Sequence, residues 1–165
     1  MVARNEIYSF QDGYLGYNQI WIRLLDQLKT TFTTEWGTFA FRRMPFGLCN
    51  APGMFQRIMM NIFHDYLRKF LEIFIDDFAI FGDVASHPEY LKLTFLHCRE
   101  VGLKLHPGKC YFGVTEGVLL GHRISANGIQ VDKEKVAVWM AVGCPTSVKA
   151  VRGFLVCVGY YRRLL

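Results

Sequence analysis

Two adjacent carboxylates, Asp76 and Asp77, interrupt a largely apolar stretch over residues 72–81. A two-residue hairpin turn prefers Asn-Gly or Asp-Gly, because both turn positions need positive φ, so Asp-Asp is a poor choice for turn geometry alone. Carboxylate oxygens are the ligands that Mg²⁺ prefers, and two of them at the tip of a rigid hairpin could hold this ion. The pair therefore predicts a metal site, with a solvated acidic turn as the alternative.

A two-metal site needs a further carboxylate that closes a strand and faces the hairpin. Asp12 meets this requirement, because it follows a predicted strand over Ile7–Gln11. It also precedes Gly13, whose lack of a side chain lets a ligand approach the backbone closely. Three other acids are weaker candidates in exposed or helical contexts: Glu6, Asp26 and Asp65.

The composition of the 165-residue chain excludes several classes of protein. Apolar residues make up 52% and charged residues only 20%, which argues against intrinsic disorder. Mean hydropathy is +0.16, yet charged residues interrupt every apolar run, and none approaches the roughly 20 residues that a membrane span needs. The five cysteines form no C-x-x-C motif and are expected to be reduced, in an intracellular protein. These values fit one domain, or a piece of a larger protein that covers its surplus apolar surface.

Charge is distributed unevenly along the chain, whose net charge is +5. Residues 61–97 hold 3 basic and 6 acidic side chains, whereas residues 98–165 hold 10 basic and 4 acidic ones. A basic C-terminal third beside an acidic middle fits a polyanionic partner, such as nucleic acid, and a metal-binding centre. On charge alone, an ordinary basic surface is the favoured explanation.

Periodicity and turn-forming residues predict the elements that position these side chains. Apolar residues at three- and four-residue spacing after Asn50 predict a long helix that packs in the core. Other helices are predicted over 86–102, from Asp132, and from Thr146 or Ser147. Because no regular βαβ order appears, we expect an α+β fold with an antiparallel sheet and helices on one face. Strands are predicted on both sides of the acidic pair and over Ile7–Gln11, Gln19–Leu25, Thr30–Arg42, Leu103–Leu105, Cys110–Val114 and Val118–Ser125.

Six segments form recognisable motifs in a fixed order along the chain. They are Tyr8–Ile20, which contains Asp12; Phe41–Pro52 with Phe55-Gln56; Phe74–Asp77, of the form aromatic-x-Asp-Asp; Gly102–Cys110; Leu119–His122; and Val151–Phe154 with Gly159–Arg163. In this order and spacing, the segments resemble the reverse transcriptase of gypsy-class LTR retrotransposons, most like plant elements. The resemblance covers almost the whole chain.

The resemblance implies the palm of a right-hand polymerase with part of the fingers. Residues 1–125 would form the palm and partial fingers, with residues 19–50 on the finger side. Residues 126–165 would form the end of the palm that leads toward the thumb and connection regions, truncated there. The remaining fingers, thumb and RNase H regions would belong to the same polyprotein.

A catalytic triad of Asp12, Asp76 and Asp77 is also implied by the resemblance. Asp12 and Asp76 would be the main ligands of two Mg²⁺ ions, for which Mn²⁺ could substitute. Asp77 and the carbonyl of Gly13 would belong to the same metal site. Lys109 matches a lysine that protonates pyrophosphate, and a solvated basic residue is the alternative.

Nucleotide and primer contacts are implied in the same way. Tyr17 falls at the steric-gate position, where an aromatic ring crowds a ribose 2′-hydroxyl, and a core tyrosine is the alternative. Gln56 would support the template or the nucleotide pocket from the long helix. The nucleotide-binding set would be Tyr17, Phe46, Gly47 and Gln56, and the primer grip would be Leu120, Gly121 and His122.

The implied function is RNA-directed DNA polymerisation, in which dNTPs are added to a primer 3′-hydroxyl on an RNA or DNA template. An isolated fragment would be incomplete for this reaction. Such enzymes act in cytoplasmic virus-like particles, and no membrane partner is expected. The alternatives are a catalytically inactive remnant that at most binds nucleic acid, and a structural domain with no nucleic-acid role. The presence of all three carboxylates favours the polymerase.

Five positions depart from the usual pattern of the family. Gln11 stands where an apolar residue is usual, and Leu15 stands where a small polar residue is usual. In the finger segment, three leucines replace residues that are commonly polar or charged: Leu24, Leu25 and Leu28. These changes add exposed apolar surface and fit a decayed genomic copy.

Overall fold

A four-stranded antiparallel sheet forms the centre of the chain in this computed structural model. The structure describes residues 2–131, 137 and 144–161. In spatial order the strands are β4 (Leu71–Phe74), β5 (Asp77–Gly82), β1 (Ile7–Asp12) and β6 (Tyr111–Val114).

Both faces of the sheet are covered. Successive side chains of a strand point to opposite faces, so Tyr8 and Phe10 enter one face of β1. Ser9 and Gln11 enter the other face, and all four side chains are buried. Strand β1 is therefore buried, and this fixes the position of Asp12 at its end.

Helices cover the face that receives Ser9 and Gln11. The stripe predicted after Asn50 is confirmed as core, because Phe55, Met59 and Phe63 are fully buried against the sheet. The helix begins as expected directly after Asn50, with a proline in its first turn. The two helices of this layer are α2 (Ala51–Ile62) and α3 (His87–Val101). A short helix, α1 (Leu24–Gln27), precedes both in the chain.

A second, three-stranded sheet covers the opposite face. It consists of β7 (Glu116–Leu119), β8 (His122–Ser125) and β9 (Gly128–Val131). The single strand predicted over Val118–Ser125 is wrong, because a turn at Leu120-Gly121 divides it into β7 and β8. Both turn residues have positive φ, 51° and 73°, which a continuous strand does not permit.

Residues 19–50 differ most from the predictions. The strand predicted over Gln19–Leu25 is wrong: a 3₁₀ turn and α1 (Leu24–Gln27) occupy this region, and only Trp21 forms an isolated bridge, to Arg43. Leucine and glutamine favour helix, and Leu24 and Leu25 have no sheet face to enter, since both are exposed. The hairpin predicted over Thr30–Arg42 is confirmed as β2 (Phe32–Thr34) and β3 (Gly37–Phe39).

Of the remaining predicted elements, one is wrong, one is confirmed and one lies outside the described residues. Residues 103–105 form no strand, because only Leu105 bridges to Gly13. The helix predicted from Ser147 is confirmed as α4 (Val148–Tyr161), whose first turn Ser147 caps by accepting the Ala150 N–H at 3.1 Å. The helix predicted from Asp132 lies outside the described residues. Within the described part of the chain, no helix is both long and apolar enough to cross a membrane.

Candidate active site

The acidic pair lies in the β4–β5 hairpin, but the turn differs from the expected one. The two turn residues are Ile75 and Asp76, and Asp77 is already the first residue of β5. Ile75 has φ of 55°, a left-handed conformation that is strained for a β-branched residue. The expectation that Asp76 and Asp77 form the tip together is therefore wrong. Asp77 is instead held in the register of the sheet.

That register brings Asp12 to the hairpin. Asp12 is the last residue of β1 and pairs directly with Asp77 of β5. The next residue, Gly13, donates its N–H to the carbonyl of Asp76 at 2.8 Å. A Cβ atom at Gly13 would lie 3.3 Å from the Cβ of Asp76, so a side chain there would crowd the turn. The structure thus brings the three predicted carboxylates to one edge of the central sheet.

Three ionised carboxylates, those of Asp12, Asp76 and Asp77, repel one another at this edge. Burial, followed by the nearby carboxylates of Asp76 and Asp12, raises the pKa of Asp77, and Lys109 opposes the rise. The Nζ of Lys109 lies 3.3 Å from Oδ2 of Asp12. One lysine therefore partly compensates a site with an excess of negative charge.

A cation of higher charge would compensate the site better, and oxygen ligands of this type suit Mg²⁺. Among residues 2–131, 137 and 144–161, however, no three carboxylate, imidazole or thiol side chains are arranged to hold a metal ion together. Asp12 is instead turned to Lys109. The residue types fit a hard cation, while the side chains adopt an arrangement suited to the lysine.

Gln56 supports the hairpin from α2. Its Oε1 accepts the N–H of Ile75, and its Nε2 donates to the carbonyl of Ile73 at 3.1 Å. Both ends of the amide are thereby used by the backbone next to Asp76. The sequence predicts Gln56 near the template or the nucleotide pocket, and no local pattern indicates this contact, because Gln56 and Ile73 are 17 residues apart in the chain.

The aromatic residues predicted to contact nucleotide lie beside the same helix. The ring of Tyr17 packs against Phe46 at 5.0 Å and against Phe55 at 5.5 Å between centroids. Phe46 is 64% exposed, whereas Phe55 is fully buried, so Tyr17 stands between solvent and core. Gly47, next in the chain, has φ of 95° and turns the backbone there.

The predicted primer grip occupies the turn between β7 and β8. A cavity of about 270 Å³ separates β7 from the carboxylate edge. Asp12, Asp77 and Lys109 border this cavity on one side, and Val118 and Leu119 border it on the other. The hairpin that carries Leu120, Gly121 and His122 therefore begins at the same cavity as the carboxylates.

A family model and the sequences of known proteins give the same result. The family model described as Reverse transcriptase (RNA-dependent DNA polymerase) matches residues 2–140. The retrovirus-related Pol polyprotein from transposon 297 of Drosophila melanogaster is 37% identical over 165 residues, which cover 99% of this chain and 16% of that polyprotein. The corresponding polyprotein from transposon gypsy of the same species is 33% identical over 163 residues, covering 98% and 16%. The chain thus spans about a sixth of the length of these relatives.

A solved structure shows the same fold. The foamy viral protease-reverse transcriptase in complex with double-stranded DNA superposes with a TM-score of 0.88 at 22% sequence identity. The match covers 98% of this chain and 28% of that chain. The expected α+β palm fold, with an antiparallel sheet and helices on one face, is confirmed.

Proposed function

This chain belongs to the reverse transcriptase family, and we propose that it forms the polymerase core of an LTR-retrotransposon Pol polyprotein of the gypsy class. In this proposal it adds dNTPs to a primer 3′-hydroxyl on an RNA or DNA template. The register between β1 and β5 carries the proposal, because it sets Asp12 opposite Asp77, with Asp76 in the adjoining turn. Three carboxylates at one rigid edge are what a phosphoryl-transfer site built on divalent cations requires.

The donor chemistry of the edge supports a site for two Mg²⁺ ions, with Mn²⁺ as a substitute. Asp12 and Asp76 would be the main ligands, with Asp77 and the carbonyl of Gly13 beside them. Bound Mg²⁺ would lower the pKa of the primer hydroxyl and offset charge on the triphosphate. Burial, followed by the carboxylates of Asp76 and Asp12, raises the pKa of Asp77, and this supports the assignment because a partly buried site with crowded carboxylates gains from a cation.

Lys109 has a separate role in the proposal. Its Nζ neutralises Asp12 in the structure, and its side chain is 61% exposed. An exposed lysine can leave Asp12 for another anion at little cost, since ion pairs near solvent contribute little free energy. Released in this way, Nζ would donate a proton to the departing pyrophosphate.

Nucleotide selection is assigned to the aromatic residues beside α2. Tyr17 is held by Phe46 and Phe55, so its ring cannot turn away easily. A ring fixed in this way would collide with a ribose 2′-hydroxyl and favour dNTPs over ribonucleotides. Phe46 and Gly47 would line the nucleotide pocket, while Gln56 would act on it indirectly through the hairpin.

Primer and template are assigned to the surface around the β7–β8 hairpin. Leu120, Gly121 and His122 would place the primer end at the cavity that the carboxylates border. Residues 98–165 carry a net charge of +6, from 10 basic and 4 acidic side chains, which supports contact with duplex phosphates. Fingers, thumb and RNase H regions of the same polyprotein would complete the cleft, and the particle in the cytoplasm would be the place of action.

The proposal is tested by Mg²⁺-dependent extension of a DNA primer on an RNA template. The chain would be assayed alone and with the segments that flank it in its relatives restored. We expect little extension by the chain alone and clear extension by the longer form. Asp76→Asn should abolish that extension, because a neutral amide is a poorer Mg²⁺ ligand.

Asp65→Asn is the matched control, since Asp65 is an exposed acid whose side chain is 89% accessible and lies away from the carboxylate edge. It should leave extension unchanged. Extension that survives Asp76→Asn would exclude the metal assignment. Extension lost equally in both variants would show that the loss is not specific to the site.

A non-catalytic nucleic-acid-binding remnant is the second candidate. The observation in its favour is the Asp12–Lys109 ion pair, which leaves the described carboxylates without an assembled metal site. A remnant would bind duplex and single strands with strong salt dependence. It would show no extension even in the longer form with Mg²⁺ or Mn²⁺, which separates it from the polymerase.

A further inference from the structure

The segment Gly159–Arg163 belongs to the last of the six motifs, and the proposed reaction assigns it no role. Its Tyr160 lies in the last turn of α4, yet its side chain reaches the β7–β8 hairpin, 40 residues earlier in the chain. The hydroxyl of Tyr160 donates a hydrogen bond to the carbonyl of Leu120. The phenol ring also stacks on His122, with centroids 5.1 Å apart and ring planes 12° apart.

These two contacts hold both sides of the turn. Leu120 precedes Gly121 and His122 follows it, so one side chain fixes the carbonyl on one side and the imidazole on the other. The hydroxyl is already used by the backbone. It is therefore oriented to organise the hairpin rather than to offer its proton to a substrate.

The turn has reason to need such support. Leu120 has φ of 51°, a conformation that costs free energy for a residue with a branched side chain. Turns of this kind are favoured by Asn-Gly or Asp-Gly, and Leu-Gly lacks the side-chain acceptor that stabilises them. Leu120 is also 39% exposed, so packing alone does not hold it.

The position of the turn matters because β7 borders the cavity next to Asp12 and Asp77. A misplacement of about 1 Å can cost on the order of a hundredfold in rate when reacting groups must be aligned. We propose that Tyr160 is a positioning residue, which locks the Leu120-Gly121 turn so that the primer 3′-end is held at the carboxylates. The role rests on the proposed polymerase function, whereas the lock itself is a property of the fold.

The lock is tested first without any activity. Tyr160→Phe removes the hydrogen bond and keeps the ring, whereas Tyr160→Ala removes both. In the full chain, amide hydrogen exchange over residues 120–123 should become about fivefold faster or more in the Phe variant, and faster still in the Ala variant. Tyr66→Phe is the matched control, because the Tyr66 hydroxyl makes no hydrogen bond within the described part of the chain. Exchange unchanged by Tyr160→Phe would overturn the lock.

The positioning role is tested by kinetics of the longer, active form. Tyr160→Phe should lower kcat for nucleotide addition about tenfold while KM for dNTP stays the same, because the primer end and not the nucleotide is displaced. Loosening of the fold alone would lower the melting temperature without this split. A variant with faster exchange but unchanged kcat would overturn positioning and leave the polymerase proposal standing. Lack of extension by the unsubstituted form would instead overturn the polymerase proposal, and the positioning role with it.

Discussion

The buried Gln11 and the half-buried Gln56 show how the same side chain can have opposite effects on stability. Gln56 uses both ends of its amide on the hairpin backbone. Gln11 is 2% exposed, and neither its Nε2 nor its Oε1 has a partner among the described residues. Gln11 pairs with Phe78 and shares its face, which is packed against the helices. An amide in such surroundings loses its hydrogen bonds to water without replacement.

Gln11→Met is therefore expected to stabilise the protein. Methionine has a similar shape and no amide to desolvate, and the gain should be about 1–3 kcal/mol in the free energy of unfolding. Equilibrium unfolding in urea measures it. A loss of stability would contradict the expectation and would indicate that the amide has a buried partner, such as an ordered water.

Gln56→Met is the matched substitution with the opposite expectation. It removes the acceptor of the strained Ile75 and the donor to Ile73, so stability should fall by about 1–3 kcal/mol. Extension by the longer form should fall as well, because the turn carries Asp76. Urea unfolding and primer extension measure the two effects. If the variant were as stable as the unsubstituted protein, the turn at Ile75 would be stable without its hydrogen bonds to Gln56.

At the scale of elements, Ser9 and His87 join three of them. His87, at the start of α3, is buried, and its Nε2 lies 2.7 Å from Oγ of Ser9 in β1. The same Oγ accepts the N–H of Gly113 in β6 at 3.0 Å. Ser9 can donate its own proton to an unprotonated Nε2, or use its second lone pair to accept from an Nε2–H, so the tautomer of His87 sets the direction of this hydrogen bond.

The burial of His87 predicts a pH dependence of stability. Burial lowers the pKa of His87 below its ordinary value of 6.5, and Asp83 opposes the shift only in part. Below the unfolded pKa the unfolded chain binds the extra proton, so stability is complete above pH 6.5 and decreases as the pH falls below it. Urea unfolding at neutral pH and at about pH 5 should show the loss.

His87→Gln should flatten this part of the pH profile while lowering stability at neutral pH. His64→Gln is the control, because the His64 side chain is 84% exposed and takes no part in the contacts of Ser9 and His87. A profile that stays equally steep in His87→Gln would assign the pH dependence to other groups.

The elements also show what sequence can and cannot supply. Periodicity predicts the buried stripe of α2, and the strand before Asp12 is predicted because Asp12-Gly13 closes it. Turns were harder: the break at Leu120 and the left-handed Ile75 violate local preference, and contacts with Tyr160 and Gln56 compensate for it. Residues distant in the chain make those contacts, so no local sequence pattern predicts them.

At the scale of the whole molecule, part of the surplus of apolar residues is exposed within residues 19–50. Three leucines of this segment are among the most exposed apolar side chains of the described chain: Leu24 at 80%, Leu25 at 73% and Leu28 at 77%. Trp36, at the tip of the β2–β3 hairpin, is also 80% exposed. Apolar surface of this extent favours association with other protein surfaces.

Replacing the three leucines together by Gln, Lys and Gln should reduce self-association and leave the melting temperature within a degree or two, because exposed side chains contribute little to folding and these residues keep helix propensity. Sedimentation velocity and thermal unfolding measure the two quantities. Trp36→Gln alone should act in the same direction but more weakly, since it removes one side chain instead of three. If segments flanking the chain in its relatives cover this surface, the triple substitution should destabilise the longer form while sparing the chain alone. A large drop in melting temperature of the chain alone would contradict the exposed position of all three leucines and place them in a core.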